Sequence, residues 1–123
     1  MRITGTDDLR ILHIDPDFPV ITKSDQVNDL IGATWGQNIA LIALPADRLD
    51  PEFFRLRSLL AGDVLQKFVT YQVRVAIVGD ISAYVAASDA LRDFVWESNR
   101  GEHVWFLPDE AALEAKLAVS RGE

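Results

Sequence analysis

The stretch that decides the fold is IALIAL, residues 39–44, in which every side chain is apolar. A strand with one face in water alternates apolar and polar residues, whereas a parallel strand covered by helices on both faces is apolar throughout. IALIAL therefore predicts a central strand of a helix-covered sheet. VRVAIV, residues 73–78, predicts the next strand of that sheet.

An antiparallel hairpin is predicted before this central strand. LRILHID, residues 9–15, alternates apolar and polar side chains, as a half-exposed strand does. MRIT, residues 1–4, is its expected partner across a turn at Thr6, Asp7 and Asp8. The hairpin is expected at the edge of the sheet.

Helical patterns separate the predicted strands. The first helix is expected to be capped by Ser24 or Asp25 and to end at Gly36. The second begins with Asp50 and Pro51 and is expected to run to about Tyr71, roughly 30 Å at 1.5 Å per residue. The remaining predictions are helices at 88–101 and 108–118, with a short strand at 103–106 between them.

Strands that alternate with helices imply parallel crossover connections. The predicted fold class is therefore an α/β single-domain sandwich spanning residues 1–123. It has a mostly parallel central sheet, an N-terminal antiparallel hairpin at the edge and about four helices.

Composition restricts the function. Nineteen acidic and twelve basic residues give a net charge of −7, which opposes binding to a nucleic-acid backbone. The chain has no cysteine, which excludes disulfides, thiolate catalysis and cysteine metal sites. Neither an apolar signal region nor a membrane-length apolar run is present, so a cytoplasmic protein without membrane contact is expected.

Polar residues at the carboxyl ends of the predicted strands form the candidate ligand site: Asp15, Asp80, Ser82 and Tyr84. Ligands of open parallel sheets bind beyond these ends, and Asp80 directly follows a buried strand. The favoured interpretation is nevertheless structural, with Gly79 turning the chain and Asp80 accepting hydrogen bonds from nearby amides.

Other chemical motifs are not present. GDISAY, residues 79–84, lacks the glycine pattern and the lysine of nucleotide-binding loops. His13 and His103 are too few for a zinc site, and no serine nucleophile motif occurs. We therefore expect no catalytic residue, no metal and no cofactor.

The predicted second helix suggests an interface. Its apolar residues cover more of its circumference than one sheet contact can bury, and Ser58 and Gly62 lie on the remaining face. Either a neighbouring helix of the same chain or another protein could cover it. Trp96 is expected to project away from the buried side of its helix, whereas Trp35 and Trp105 are assigned to the core or its rim.

LDPEFFRLRSLLAGDVLQKFVTYQVRVAIVGDISAY, residues 49–84, and LRDFVWESNRG, residues 91–101, resemble the bacterial domain of unknown function 4180. The resemblance runs from about Ser24 to Leu117. The order of elements is also similar to the STAS fold of anti-sigma factor antagonists, which implies a small interaction domain. Phosphoswitched STAS domains carry a serine or threonine in the stretch that corresponds to LPADRLDPEFF, residues 44–54, where this chain has Asp47 and Asp50.

Two functions from different classes remain. The first is a non-enzymatic STAS-like interaction or regulatory domain, which contacts a protein partner or itself as a homo-oligomer through Ser58, Gly62 or Trp96. The alternative is a small-molecule-binding domain or enzyme with a pocket around Asp80. The residues Glu97, Ser98 and Asn99 are expected to close their helix.

Overall fold

A computed structural model describes residues 1–6 and 9–120. Its five strands lie side by side in chain order. The first two pair antiparallel, with Arg2 opposite His13, and the other three neighbouring pairs are parallel. The strands are β1 (Arg2–Thr6), β2 (Leu9–His13), β3 (Ile39–Pro45), β4 (Arg74–Val78) and β5 (Val104–Leu107).

This arrangement confirms the predicted mixed sheet with an N-terminal hairpin at one edge. Asp7 and Asp8 of the predicted turn lie outside the described residues. The described α-helices are α1 (Asn28–Gly32), α2 (Leu60–Thr70), α3 (Ser82–Ala87), α4 (Asp89–Arg100) and α5 (Glu110–Ser120). In this part of the chain no helix combines the length and apolarity that crossing a lipid bilayer requires.

Side chains of β3 alternate between two hydrophobic cores, which confirms the prediction from IALIAL. Ile42 and Leu44 face a large core beneath α1, α2 and α4, whereas Leu41 and Ala43 face a smaller core beneath α5. Successive right-handed crossovers in one direction place their helices on the same side of a sheet. The last helix follows the last strand and is free to cover the other side.

The predicted single helix from Asp50 to Tyr71 is wrong. Asp50 does cap a helical turn, accepting a hydrogen bond from the Glu52 amide at 2.9 Å, but this 3-10 turn ends at Phe54. A second 3-10 turn covers Leu56–Ser58, and α2 begins only after Leu59, whose φ of 67° is left-handed.

The break has an electrostatic reason. In one continuous helix, Arg57 would share a face with the buried residues Phe54, Ala61 and Val64, because they follow at three- and four-residue spacing. Burying an unpaired guanidinium is unfavourable. Interrupting the helix leaves Arg57 exposed while Phe54 stays in the core.

Three local predictions also need correction. The first helical segment begins as a 3-10 turn after Lys23, so neither Ser24 nor Asp25 is its cap. Because α1 ends at Gly32, Trp35 lies beyond the helix and is 68% exposed, not part of the core. A fifth helix, α3, follows the turn at Gly79 and Asp80, where no helix was predicted. Trp105 is buried, as predicted.

Asn99 does more than close α4. Its side-chain Nδ2 donates to the Phe106 carbonyl at 3.0 Å, and its Oδ1 accepts from the Phe106 amide at 2.7 Å. The amides of Val75 and Gly79 in and after β4 donate to His103 and Leu107, so Phe106 directs its backbone groups toward the free edge of β5. Asn99 therefore occupies the hydrogen-bonding positions of a further strand.

We expect Asn99→Ala to lower the free energy of unfolding by about 1–3 kcal/mol, because both backbone groups of Phe106 lose their partner. Urea denaturation followed by circular dichroism measures the change. The matched control is Asn28→Ala, which removes an exposed bond from Lys67 and should cost less than about 0.5 kcal/mol. Equal losses in the two variants would contradict this role of Asn99.

Candidate functional site

A hollow of about 520 Å³ lies beyond the carboxyl ends of β3 and β4. We call it the strand-end hollow. Its charged residues are Asp47 and Asp80, and Tyr84 adds a phenol. Much of the remaining lining is apolar and includes Val20, Leu49, Phe54 and Ile81.

The turn after β4 is held close to the segment after β3. Gly79 has a φ of 152°, and a Cβ atom there would lie 2.8 Å from the Cβ atom of Ala46. Glycine is therefore needed both for the backbone conformation and for the close approach. Its amide still donates to Leu107 at 2.9 Å, so the turn remains attached to the sheet.

Asp80 lies in this turn with its carboxylate exposed. Its Oδ1 accepts a hydrogen bond from the Ser82 amide at 2.9 Å, just before α3. Hydrogen bonds from the side chain and then the backbone of Ser82 lower the pKa of Asp80, and desolvation opposes them. The carboxylate is thus fixed in orientation and stays ionised at lower pH than an ordinary aspartate.

Tyr84 extends the site away from the strand ends. Its ring stacks on Phe54, with centroids 4.6 Å apart and planes 13° apart, and it is 38% exposed. A second hollow, of about 1040 Å³, shares Pro51, Phe54 and Tyr84 with the first. We call it the arginine hollow, because Arg55 and Arg57 line it.

The structure brings together two of the four candidate ligand residues. Asp80 and Tyr84 line the strand-end hollow, while Ser82 does not line it and instead bonds Asp80. Asp15 is used elsewhere, since its carboxylate pairs with the Met1 amino group at 3.1 Å. Phe54 and Arg57 were not predicted as site residues, because their position depends on the helix break.

The candidate interface residues lie on separate elements. Ser58 precedes α2, and its hydroxyl bonds the Glu52 and Arg55 carbonyls at 2.6 and 2.8 Å, so it does not share a helical face with Gly62. Gly62 is exposed on α2, with no described atom within 4 Å of where its Cβ would be. Trp96 is 59% exposed on α4, beneath the Arg100 guanidinium at 4.6 Å.

His13 is held in a polar contact on the α5 side of the sheet. Its Nε2 and the Thr4 hydroxyl are 2.7 Å apart, and its Nδ1 lies 3.9 Å from Glu110. Burial, and then the positive charge of Arg2, lower its pKa, although Glu110 and Glu114 oppose this shift. Among residues 1–6 and 9–120, no group of three or more histidines and carboxylates is placed to hold a metal ion.

Fold and site together define an α/β domain with an open groove at the carboxyl ends of its parallel strands. The chain belongs to the family described as Domain of unknown function (DUF4180), whose model matches residues 6–117. No curated protein and no solved structure matches the chain significantly.

The lowered pKa of His13 predicts a loss of stability in mild acid. The unfolded chain takes up the proton first as the pH falls through about 6.5, so protonation favours unfolding below that value and has no effect well above it. We expect the free energy of unfolding to fall from about pH 7.5 to about pH 5.5, and to fall less in His13→Gln. Urea denaturation at both pH values measures this, and an unchanged difference in the variant would contradict it.

Proposed function

We propose that this domain is a non-enzymatic binding module, and that its strand-end hollow accepts a ligand with an apolar body and a positively charged group. One observation supports the proposal. A concave, mostly apolar hollow lies at the carboxyl ends of parallel strands, and it contains a carboxylate, Asp80, whose orientation is fixed by a hydrogen bond. Its volume of about 520 Å³ is in the range of small-ligand sites.

The charge of the ligand follows from the two carboxylates of the hollow. Asp47 is partly neutralised by Arg48, whose Nε lies 3.3 Å from its Oδ1. Among the described residues Asp80 has no ion-pair partner, and the lining adds no basic group. A cation placed beside Asp80 would therefore complement the strand-end hollow, and an anion would be repelled.

Binding is better supported than catalysis. A general base works best with a pKa near the working pH, whereas the hydrogen bonds from Ser82 move the pKa of Asp80 in the opposite direction. Within the described part of the chain, neither His13 nor His103 lines the hollow. The groups present can orient and neutralise a cation but are poorly suited to proton transfer.

Benzylamine tests the proposal, because it joins an apolar ring to an ammonium group. We expect it to shift the backbone amide resonances of residues 79–84 in a nitrogen-15 NMR titration, and to bind more tightly than benzyl alcohol. Asp80→Asn keeps an acceptor for the Ser82 amide and should weaken benzylamine binding by up to about fivefold, as expected for an exposed ion pair.

The matched control is Asp93→Asn, which removes an equally charged, exposed carboxylate on α4, where Asp93 contacts Arg92. It should bind benzylamine like the wild type. Absence of shifts at residues 79–84, or equal affinity in the Asp80 and Asp93 variants, would reject the proposal.

A second candidate function rests on a different surface. Leu59 at the start of α2 and Trp96 on α4 are 69% and 59% exposed, and Gly62 faces open space on α2. These residues would suit a contact with a second copy of the chain, in an interaction domain of STAS-like type. The order of elements, a hairpin followed by alternating helices and strands, supports that likeness.

This second function predicts self-association. We expect sedimentation equilibrium at high micromolar concentration to show a dimer or larger species, and Trp96→Glu to shift it toward the monomer. Trp35→Glu is the matched control, because Trp35 is similarly exposed but lies beyond α1. A strictly monomeric wild type would exclude the self-association.

A further inference from the structure

The two hollows form one groove with a shared centre. Pro51, Phe54 and Tyr84 line both of them. The exposed face of Tyr84, supported from behind by the buried ring of Phe54, offers an apolar platform at the point where the hollows meet. A ligand that fills both hollows must therefore cross this ring pair.

The ends of the groove carry opposite charge. Asp47 and Asp80 belong only to the strand-end hollow, while Arg55 and Arg57 belong only to the arginine hollow. Arg55 is partly neutralised by Glu52 at 3.1 Å. Glu52 also lines this hollow but pairs with Arg55, and among the described residues the exposed Arg57 makes no ion pair.

Helix α3 sets the scale of the groove. Asp80 precedes this helix, Tyr84 lies within it, and Ser88, which lines the arginine hollow, directly follows it. The six helical residues alone span about 9 Å at 1.5 Å per residue, and Asp80 and Ser88 lie beyond the two ends. An extended peptide advances about 3.3 Å per residue and its alternate side chains share a face, so its first, third and fifth residues, which span about 13 Å, can face Asp80, Tyr84 and the arginine hollow.

We propose that the groove binds an extended peptide segment of a protein partner, with a basic residue beside Asp80, an acidic residue about four positions away beside Arg57, and an apolar residue midway between them on Tyr84. The inference rests on the proposed function, because the basic side chain enters the hollow assigned there to a cation. An extended chain is the occupant that best fits, since both hollows are open and its side chains reach each of them in turn.

Three capped pentapeptides, whose first, third and fifth side chains share a face when extended, test the inference: Lys-Ala-Leu-Ala-Glu, its reverse Glu-Ala-Leu-Ala-Lys, and the uncharged Gln-Ala-Leu-Ala-Gln. Each is acetylated and amidated, so that only side chains carry charge. In NMR titrations we expect one of the two charged peptides to shift amides at both Asp80 and Arg57, and to bind at least about fivefold more tightly than the uncharged peptide.

Charge reversal identifies the arginine end. Arg57→Glu should weaken the preferred peptide by about tenfold, since attraction becomes repulsion, and should leave benzylamine binding unchanged. Replacing the peptide's glutamate by lysine should restore its affinity for this variant. Arg92→Glu, which reverses an exposed arginine on α4 outside both hollows, is the control and should bind like the wild type.

The outcomes separate the inference from the proposed function. If benzylamine binds through Asp80 but the charged peptides bind no better than the uncharged one, the inference is wrong and the proposed function stands. Equal affinity of the preferred peptide for the wild type and for Arg57→Glu also overturns the inference. If neither benzylamine nor any peptide binds, both are wrong.

Discussion

The burial of β3 on both faces is the constraint on which the rest of the structure depends. Leu41 and Ala43 require cover on one side of the sheet, and Ile42 and Leu44 require it on the other. Helix α5 covers Leu41 and Ala43, and the crossover helices cover Ile42 and Leu44. Because β2 to β5 then run parallel, the turns that follow β3 and β4 lie together at the carboxyl ends of the strands, where the groove forms.

Much of this fold could be predicted from periodicity alone. The uniform apolar character of residues 39–44 correctly predicted a covered strand, and an N-terminal hairpin at the edge was also predicted correctly. The half-exposed strand predicted from the alternation in residues 9–15 was wrong, because β2 is buried on both faces, with Ile11 in the smaller core and Leu12 in the larger one. The continuous helix predicted from Asp50 was wrong. It was predicted from the cap and the apolar spacing, which do not take into account the unfavourable burial of Arg57 in such a helix. The assignment of Trp35 to the core was also wrong, because α1 ends earlier than the apolar pattern predicted. Tertiary packing as well as sequence pattern determines the length of a helix.

The site was predictable only in part. The rule that ligands bind at the carboxyl ends of parallel strands located Asp80 and Tyr84, because both follow β4 directly in the chain. Asp15 follows a strand as well, but its carboxylate forms an ion pair with the Met1 amino group just before the other strand of the hairpin. The contribution of Arg57 depends on a break in the backbone, and the caps and apolar spacing from which that helix was predicted do not indicate the break.

The Asn99 side chain has a consequence for how the sheet can grow. Its amide group occupies the outer hydrogen-bonding positions of Phe106, so it obstructs the addition of a foreign strand beside β5. At the opposite edge, among the described strands, β1 pairs only with β2. Strand addition between two copies would therefore be easier from β1 to β1, and Asn99 would obstruct further addition at both outer edges of the resulting ten-stranded sheet. This arrangement opposes polymerisation through the sheet beyond a pair.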